Sequence, residues 1–165
     1  IAVINCCGDC NATASKYDFV GVETCLAVKR FYSGNGLCSY GCIGYGDCAQ
    51  VCSENAITLS DGIAHINRKL CIGCGQCATV CPNSLISMIP ESAKTIVRCS
   101  SKDNGKTTKL NCKNGCIGCK ICEKNCESQA ITVTDFHASI DYSKCTNCGV
   151  CAEKCPVKVI EYPVK

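Results

Sequence analysis

Apolar residues in this chain come in short β-branched bursts rather than in long amphipathic stretches. Ala56-Ile57-Thr58-Leu59 and Ile63-Ala64-His65-Ile66 flank Ser60-Asp61-Gly62, a pattern that predicts two short strands joined by a tight turn. Ala130 to Val133 and Ala138 to Ile140 repeat it further along. Leu85 to Ile89 and Val159 to Tyr162 predict closing strands, each following a Cys-Pro step that disfavours continued helix. The intervening segments, rich in Cys and Gly, leave room for a turn or two of helix. No stretch reaches the roughly 18 uninterrupted apolar residues of a membrane helix. No basic-then-apolar leader follows Ile1, so the sequence as written reads as a soluble chain.

The repetition is regular. An offset of 74 places Cys38, Cys42, Cys48, Cys52, Cys71, Cys74, Cys77 and Cys81 on Cys112, Cys116, Cys122, Cys126, Cys145, Cys148, Cys151 and Cys155 without a gap. Identity extends to GCIG (41–44 and 115–118) and AIT (56–58 and 130–132), so a module has been duplicated and not only a set of ligands. The expected organisation is an N-terminal cysteine-containing extension (1–37), a first module (38–90), a linker (91–111) and a second module (112–165). Ser100 to Lys106 within the linker reads as an exposed turn.

Composition sharpens this picture at one point. The chain has 22 cysteines in 165 residues, aromatics are 5% and tryptophan is absent, so cross-links or metals must supply much of the stability. Three runs have the form CxxCxxCxxxC: Cys71-Cys74-Cys77-Cys81, Cys116-Cys119-Cys122-Cys126 and Cys145-Cys148-Cys151-Cys155. This is the bacterial ferredoxin spacing. Zinc sites favour separate CxxC pairs, often with histidine, and a disulfide framework has no need of three thiols at three-residue intervals. The expected class is α+β: two tandem bacterial 2×(4Fe-4S) ferredoxin-like modules, small and cluster-stabilised. Many thiols and oxygen-sensitive clusters point to a reducing compartment. The formal charge of +3 becomes about −5 once four clusters with their thiolates, each about −2, are included.

Cysteines at i, i+3 and i+6 bring three sulfurs to three corners of a cubane, and the fourth binds the other cluster of its pair. The expected sets are Cys116, Cys119, Cys122 and Cys155; Cys145, Cys148, Cys151 and Cys126; and Cys71, Cys74, Cys77 and Cys52. The last set has Cys42, Cys48 and Cys81 but Tyr45 in the place of Cys119. Three solutions are open: Cys38 folds back to the vacant corner, three cysteines hold a three-iron cluster, or the site is empty or otherwise ligated. Cys38 is the expected ligand, although its counterpart Cys112 stands beside a complete set. Cys25 and Cys99 are also 74 apart. Cys99 and Cys112 read as buried small apolar residues. Cys6, Cys10 and Cys25, with Cys38 or Cys7, form a possible fifth cluster set.

Other motifs read plainly. His65 and His137 are expected at the surface and not as ligands. Gly105-Lys106-Thr107 resembles the end of a phosphate loop, but Ser100 replaces the earlier glycine, so it reads as a turn; Gly34-Asn35-Gly36 does likewise. Residues 94–124 hold eight lysines and arginines against two acids, a solvated face or a dock for an acidic redox partner.

CSYGCIGYGDCAQVC, CIGCGQCATVCP, VRCSSKDNGK, CIGCKICEKNC, CTNCGVCAEKCP and KYDFVGVETC together give a sequence that resembles the B subunit of the Rnf complex, the ion-translocating ferredoxin:NAD+ oxidoreductase, in its clostridial form. The resemblance covers nearly the whole chain. It implies 4Fe-4S clusters, ferredoxin as electron donor, other subunits of a membrane redox complex as partners and a place on the cytoplasmic side of the membrane. It also implies that flavin, NAD and ion translocation belong to other subunits. The membrane-anchoring helix and further four-cysteine region usual at the start of this family are not in the sequence. Cys7 replaces an expected asparagine, and Ser53 and Glu127 replace the prolines expected after Cys52 and Cys126.

No acid, base or nucleophile constellation accompanies the cysteines, so the expected function is electron relay without a bond-making active site. Competing readings are a free polyferredoxin or a ferredoxin-like subunit of another oxidoreductase, and a zinc-stabilised binding module.

Overall fold

The fold comes from a computed structural model describing residues 1–164. The β-branched bursts pair as the pattern predicts. Strands β2 (Ile57–Ser60) and β3 (Ile63–Ile66) form an antiparallel hairpin with Ile57 opposite Ile66. Strands β6 (Ile131–Thr134) and β7 (His137–Ile140) form its counterpart with Ile131 opposite Ile140. Both turns need positive φ at two successive residues, supplied by Asp61 and Gly62 in one hairpin and by Asp135 and Phe136 in the other. A cysteine-loop glycine packs against each turn. A Cβ at Gly44 would stand 2.7 Å from Gly62 O, and one at Gly118 would stand 2.7 Å from Phe136 Cα. These close approaches seat each cysteine loop on its hairpin.

Each hairpin lies between two short helices, α2 (Asp47–Gln50) and α3 (Gln76–Val80) in the first unit, α5 (Ile121–Lys124) and α6 (Val150–Lys154) in the second. A second two-stranded sheet completes each unit. The closing strand β4 (Ile86–Met88) pairs antiparallel with β1 (Ala2–Ile4), and β8 (Ile160–Glu161) pairs with β5 (Ile96–Val97). Each unit therefore recruits a strand from outside its repeat: one from the segment read as an extension, the other from the segment read as a linker.

Two helices go beyond the sequence expectation. Helix α1 (Cys25–Tyr32) starts at Thr24, whose side chain accepts from Ala27 N at 3.1 Å. Helix α4 (Gly105–Asn111) starts at Asn104, which accepts from Thr107 N at 3.0 Å. The exposed turn expected at 100–106 is corrected accordingly. Ser101 is buried, and Gly105 and Lys106 open a helix whose Thr108 hydroxyl donates to Asp103 O at 3.1 Å.

Two cores mix apolar residues with cysteines. One gathers Ile4, Ile57, Ile63, Leu85 and Ile86 around Cys48 and Cys77, the other Ile131, Val133, Val159 and Ile160 around Cys122, Cys151 and Cys155. A smaller cluster of Val3, Ile89, Ala93 and Ile96 joins the units. Arg98 pairs with Glu161 at 2.6 Å and donates to Cys6 O at 3.0 Å, pinning the N-terminal segment to the second unit.

Candidate metal centres

All 22 cysteines are free thiols. In the second unit the fold brings together cysteines from different runs. Cys116, Cys119 and Cys122 line one cavity with Cys155, the last cysteine of the other run, against Val133, Ala138 and Val159. Cys151 meets Cys145, Cys148 and Cys126; burial pushes its thiol up to about 11, with those three neighbours adding to the shift. In the first unit Cys71, Cys74 and Cys77 share a cavity with Cys52.

Beside the tyrosine-interrupted loop the fold places a cysteine other than Cys38. Cys42, Cys48 and Cys81 line a cavity whose fourth cysteine is Cys25, the first residue of α1. The sulfur of Cys25 faces the backbone N–H groups of Asp47, Tyr45 and Gly46. In return the Asp47 carboxylate accepts from Cys25 N at 2.8 Å and Leu26 N at 3.1 Å. That exchange locks the start of α1 onto the loop at the position where the repeat has Cys119. The Tyr45 ring turns away to stack edge-on against Phe19, with centroids 6.1 Å apart. Cys48 reports the same grouping: burial pushes its thiol up to about 12, followed by the influence of Cys42, Cys25 and Cys81.

Cys38, the residue expected at the vacant corner, lies elsewhere. It lines a separate cavity with Cys6, Cys7, Cys99 and Cys112, and Cys42 borders that cavity as well as its own. The expected grouping of Cys6, Cys10 and Cys25 is split, since Cys25 joins the tyrosine loop and Cys10 is exposed. Cys99 and Cys112 are buried as expected, but they share their cavity with other thiols. Neither histidine lines a cavity of cysteines. His137 Nε2 lies 2.7 Å from Cys99 O, and both rings are half-buried rather than at the surface.

The cavities that hold Cys52, Cys25 and Cys155 are each lined by four cysteines, the ligand number of a cubane. A tetrahedral zinc draws each thiolate to about 2.3 Å. A cubane binds its four cysteines at four separate iron corners, so its sulfurs stand further apart. Backbone amides also point at the sulfurs of the crossing cysteines: Ala56 N to Cys52 and Leu85 N to Cys81 at 3.4 Å, and Ala130 N to Cys126 at 3.3 Å. Such donors stabilise thiolate and tune cluster potential. Burial pushes the thiols of Cys42, Cys122 and Cys151 up to about 11 and that of Cys48 up to about 12, so cluster loading at these residues must release protons.

The sequence profile of the 4Fe-4S dicluster domain matches residues 38–85 and 115–159. Over nearly the whole chain the sequence is similar to the B subunit of the ion-translocating oxidoreductase complex of Methanosarcina acetivorans, 44% identical over 96% of this chain and 60% of the relative. The B subunit of the Na(+)-translocating ferredoxin:NAD(+) oxidoreductase complex of Acetobacterium woodii is 37% identical over 100% of this chain and 50% of its own length. The B subunit of the proton-translocating ferredoxin:NAD(+) oxidoreductase complex of Clostridium ljungdahlii is 35% identical over 98% of this chain and 58% of its own. The chain thus spans 50% to 60% of the length of these relatives.

Proposed function

This chain belongs to the 4Fe-4S dicluster domain family, and from that premise we propose that it is the iron-sulfur electron-transfer part of an ion-translocating ferredoxin:NAD+ oxidoreductase, passing electrons from reduced ferredoxin toward other subunits. The observation that carries the reading is the meeting of cysteines across runs, Cys155 with Cys116, Cys119 and Cys122, in a chain with relatives bearing that complex's name. The two units are tandem ferredoxin-like modules, each with a pair of clusters. Their ligands are Cys52, Cys71, Cys74 and Cys77; Cys25, Cys42, Cys48 and Cys81; Cys116, Cys119, Cys122 and Cys155; and Cys126, Cys145, Cys148 and Cys151.

Bound 4Fe-4S groups supply reversible one-electron chemistry at low potential. The chain's own residues hold these groups, exclude water from one side and leave an edge open on the other. Cys74, Cys119 and Cys148, the middle cysteines of the three uninterrupted runs, are exposed, which lets a partner's redox centre approach closely. The buried Cys25 takes the corresponding place in the fourth set. That set is therefore an internal station.

Helix α4 begins against the second unit's first loop, where a Cβ at Gly105 would lie 2.9 Å from Ile117 O. Exposed Lys102, Lys106 and Lys109, on and just before that helix, offer an acidic ferredoxin a cationic dock. Changing these three lysines to glutamate should slow reduction of the chain by reduced ferredoxin by about tenfold or more at low salt and flatten the salt dependence. Stopped-flow mixing under anaerobic conditions measures both. An unchanged rate with unchanged salt dependence refutes the dock, and a wild-type chain that ferredoxin cannot reduce refutes the donor assignment.

A further inference from the structure

The displacement of Cys38 from the tyrosine loop leaves four buried or half-buried thiols around one cavity at the junction of the two units. Cys6 follows β1, Cys38 precedes the first unit's loop, Cys99 follows β5 and Cys112 caps the C-terminal end of α4. None of them belongs to a CxxCxxC run. Buried cysteines commonly act as small apolar side chains, but here the backbone treats the four sulfurs as acceptors.

At each of the four, the N–H two residues ahead points at the sulfur: Gly8 to Cys6 at 3.4 Å, Ser101 to Cys99 at 3.4 Å, Tyr40 to Cys38 and Asn114 to Cys112. Cys99 receives a second bond from Cys116 N at 3.3 Å. The same local turn, built at four places far apart in sequence, is what thiolate ligands require and apolar side chains do not. Glycine keeps the space open, since a Cβ on Gly8 would stand 3.2 Å from Cys112 Sγ and 3.7 Å from Cys6 Sγ. The void is no smaller than those within the three neighbouring cavities lined by four cysteines.

The surrounding walls are fixed by hydrogen bonds between distant segments. Arg98 holds Cys6 O, Asn114 Nδ2 donates to Cys7 O at 2.9 Å, and Ser100 Oγ donates to Asn5 O at 3.1 Å. Cys7 borders the cavity too, but its sulfur donates to Asn114 O at 3.6 Å. It is placed as a neighbour of the site and not as one of its ligands.

We propose that Cys6, Cys38, Cys99 and Cys112 bind a fifth 4Fe-4S cluster that bridges the two units, the four thiols losing their protons to the solvent on binding. The proposal rests on the cluster reading given above and adds a site to it. Its position closes a gap. Cys42 borders both this cavity and that of the Cys25 set, while the Cys116 amide joins Cys99 to the second unit. A cluster here stands between the two ferredoxin-like pairs and makes one continuous row of five.

Iron, zinc and acid-labile sulfide counted per chain on anaerobically prepared protein test the site. About 20 irons and as many sulfides are expected, falling to about 16 in Cys38→Ser, Cys99→Ser and Cys112→Ser and staying at about 20 in Cys7→Ser. A wild-type count of about 16 irons, with or without one zinc, overturns the fifth cluster and leaves the four-cluster reading standing. No iron at all overturns both. The wild-type count decides the matter even where a variant fails to fold. Among folded variants, iron loss from Cys7→Ser, or full retention in Cys112→Ser, overturns the ligand set.

Discussion

Stripping iron from the chain with a strong chelator, anaerobically and with thiols kept reduced, is expected to unfold both units together. The apolar core is too thin to stand alone. Its largest fully buried side chains are Leu85, Val28, Val159, Thr95 and Thr108, and each aliphatic one contributes about 1.5–3 kcal/mol on burial. Ordering the backbone costs about 1–2 kcal/mol per residue. The sheets are two-stranded and some strands only two residues long, whereas isolated hairpins are marginal in water. Cluster binding is then inseparable from folding, as in other small metal-dependent domains. Hydrogen exchange gives the readout: amide protection in β2, β3, β6 and β7 should fall by several orders of magnitude on iron removal. Metal-free protein that kept its protected hairpins would contradict this, and would mean that apolar packing alone holds the fold.

The second large effect concerns the loop carrying Tyr45. Replacing Cys25 with serine removes the sulfur that faces the Tyr45, Gly46 and Asp47 amides and should convert that centre from four irons to three, with the EPR signature of an oxidised three-iron cluster appearing where the wild type is silent. Cys38→Ser should leave this centre intact. Adding Tyr45→Cys to Cys25→Ser should restore the fourth iron, because residue 45 occupies the repeat position of Cys119 and its backbone already adjoins Cys25. The reverse pattern, with Cys38→Ser producing the three-iron signal and Cys25→Ser silent, would return the corner to Cys38.

What the sequence reveals here depends on whether an interaction is local. The offset of 74 and the β-branched bursts at 56–66 and 130–140 announce the duplicated hairpins, because alternation and turn chemistry act over a few residues. The crossing of Cys126 and Cys155 is expected from the ferredoxin spacing, and the fold puts Cys155 in one cavity with Cys116, Cys119 and Cys122 and Cys126 near Cys151. Cys25 is harder to recognise. Its place beside Cys42, Cys48 and Cys81 depends on a contact with Asp47 across 22 residues, and distance along the chain favours Cys38. A signal is nevertheless present: Thr24 and Asn104 are helix-start residues, each followed within three positions by the amide it caps. Reading them as caps places Cys25 at the head of a helix and Ser101 beneath one.

Duplication also misleads. Cys25 and Cys99 share the offset of 74, yet the first turns into its own unit and the second into the junction. The strands β1 and β5 that complete the two units do not follow the offset. Long-range pairing of this kind leaves no periodic trace, and it brings a strand from residues 1–37 to β4 and one from residues 91–111 to β8.

Metal analysis joined to visible absorption, on protein isolated without oxygen, is the most direct test of thiolate-bound iron in this chain. The expected result is a brown chain with no stoichiometric zinc, whose iron and acid-labile sulfide are equal at about four per set of four cysteines, and whose colour bleaches when reduced ferredoxin is added. A colourless, folded chain carrying zinc would contradict it.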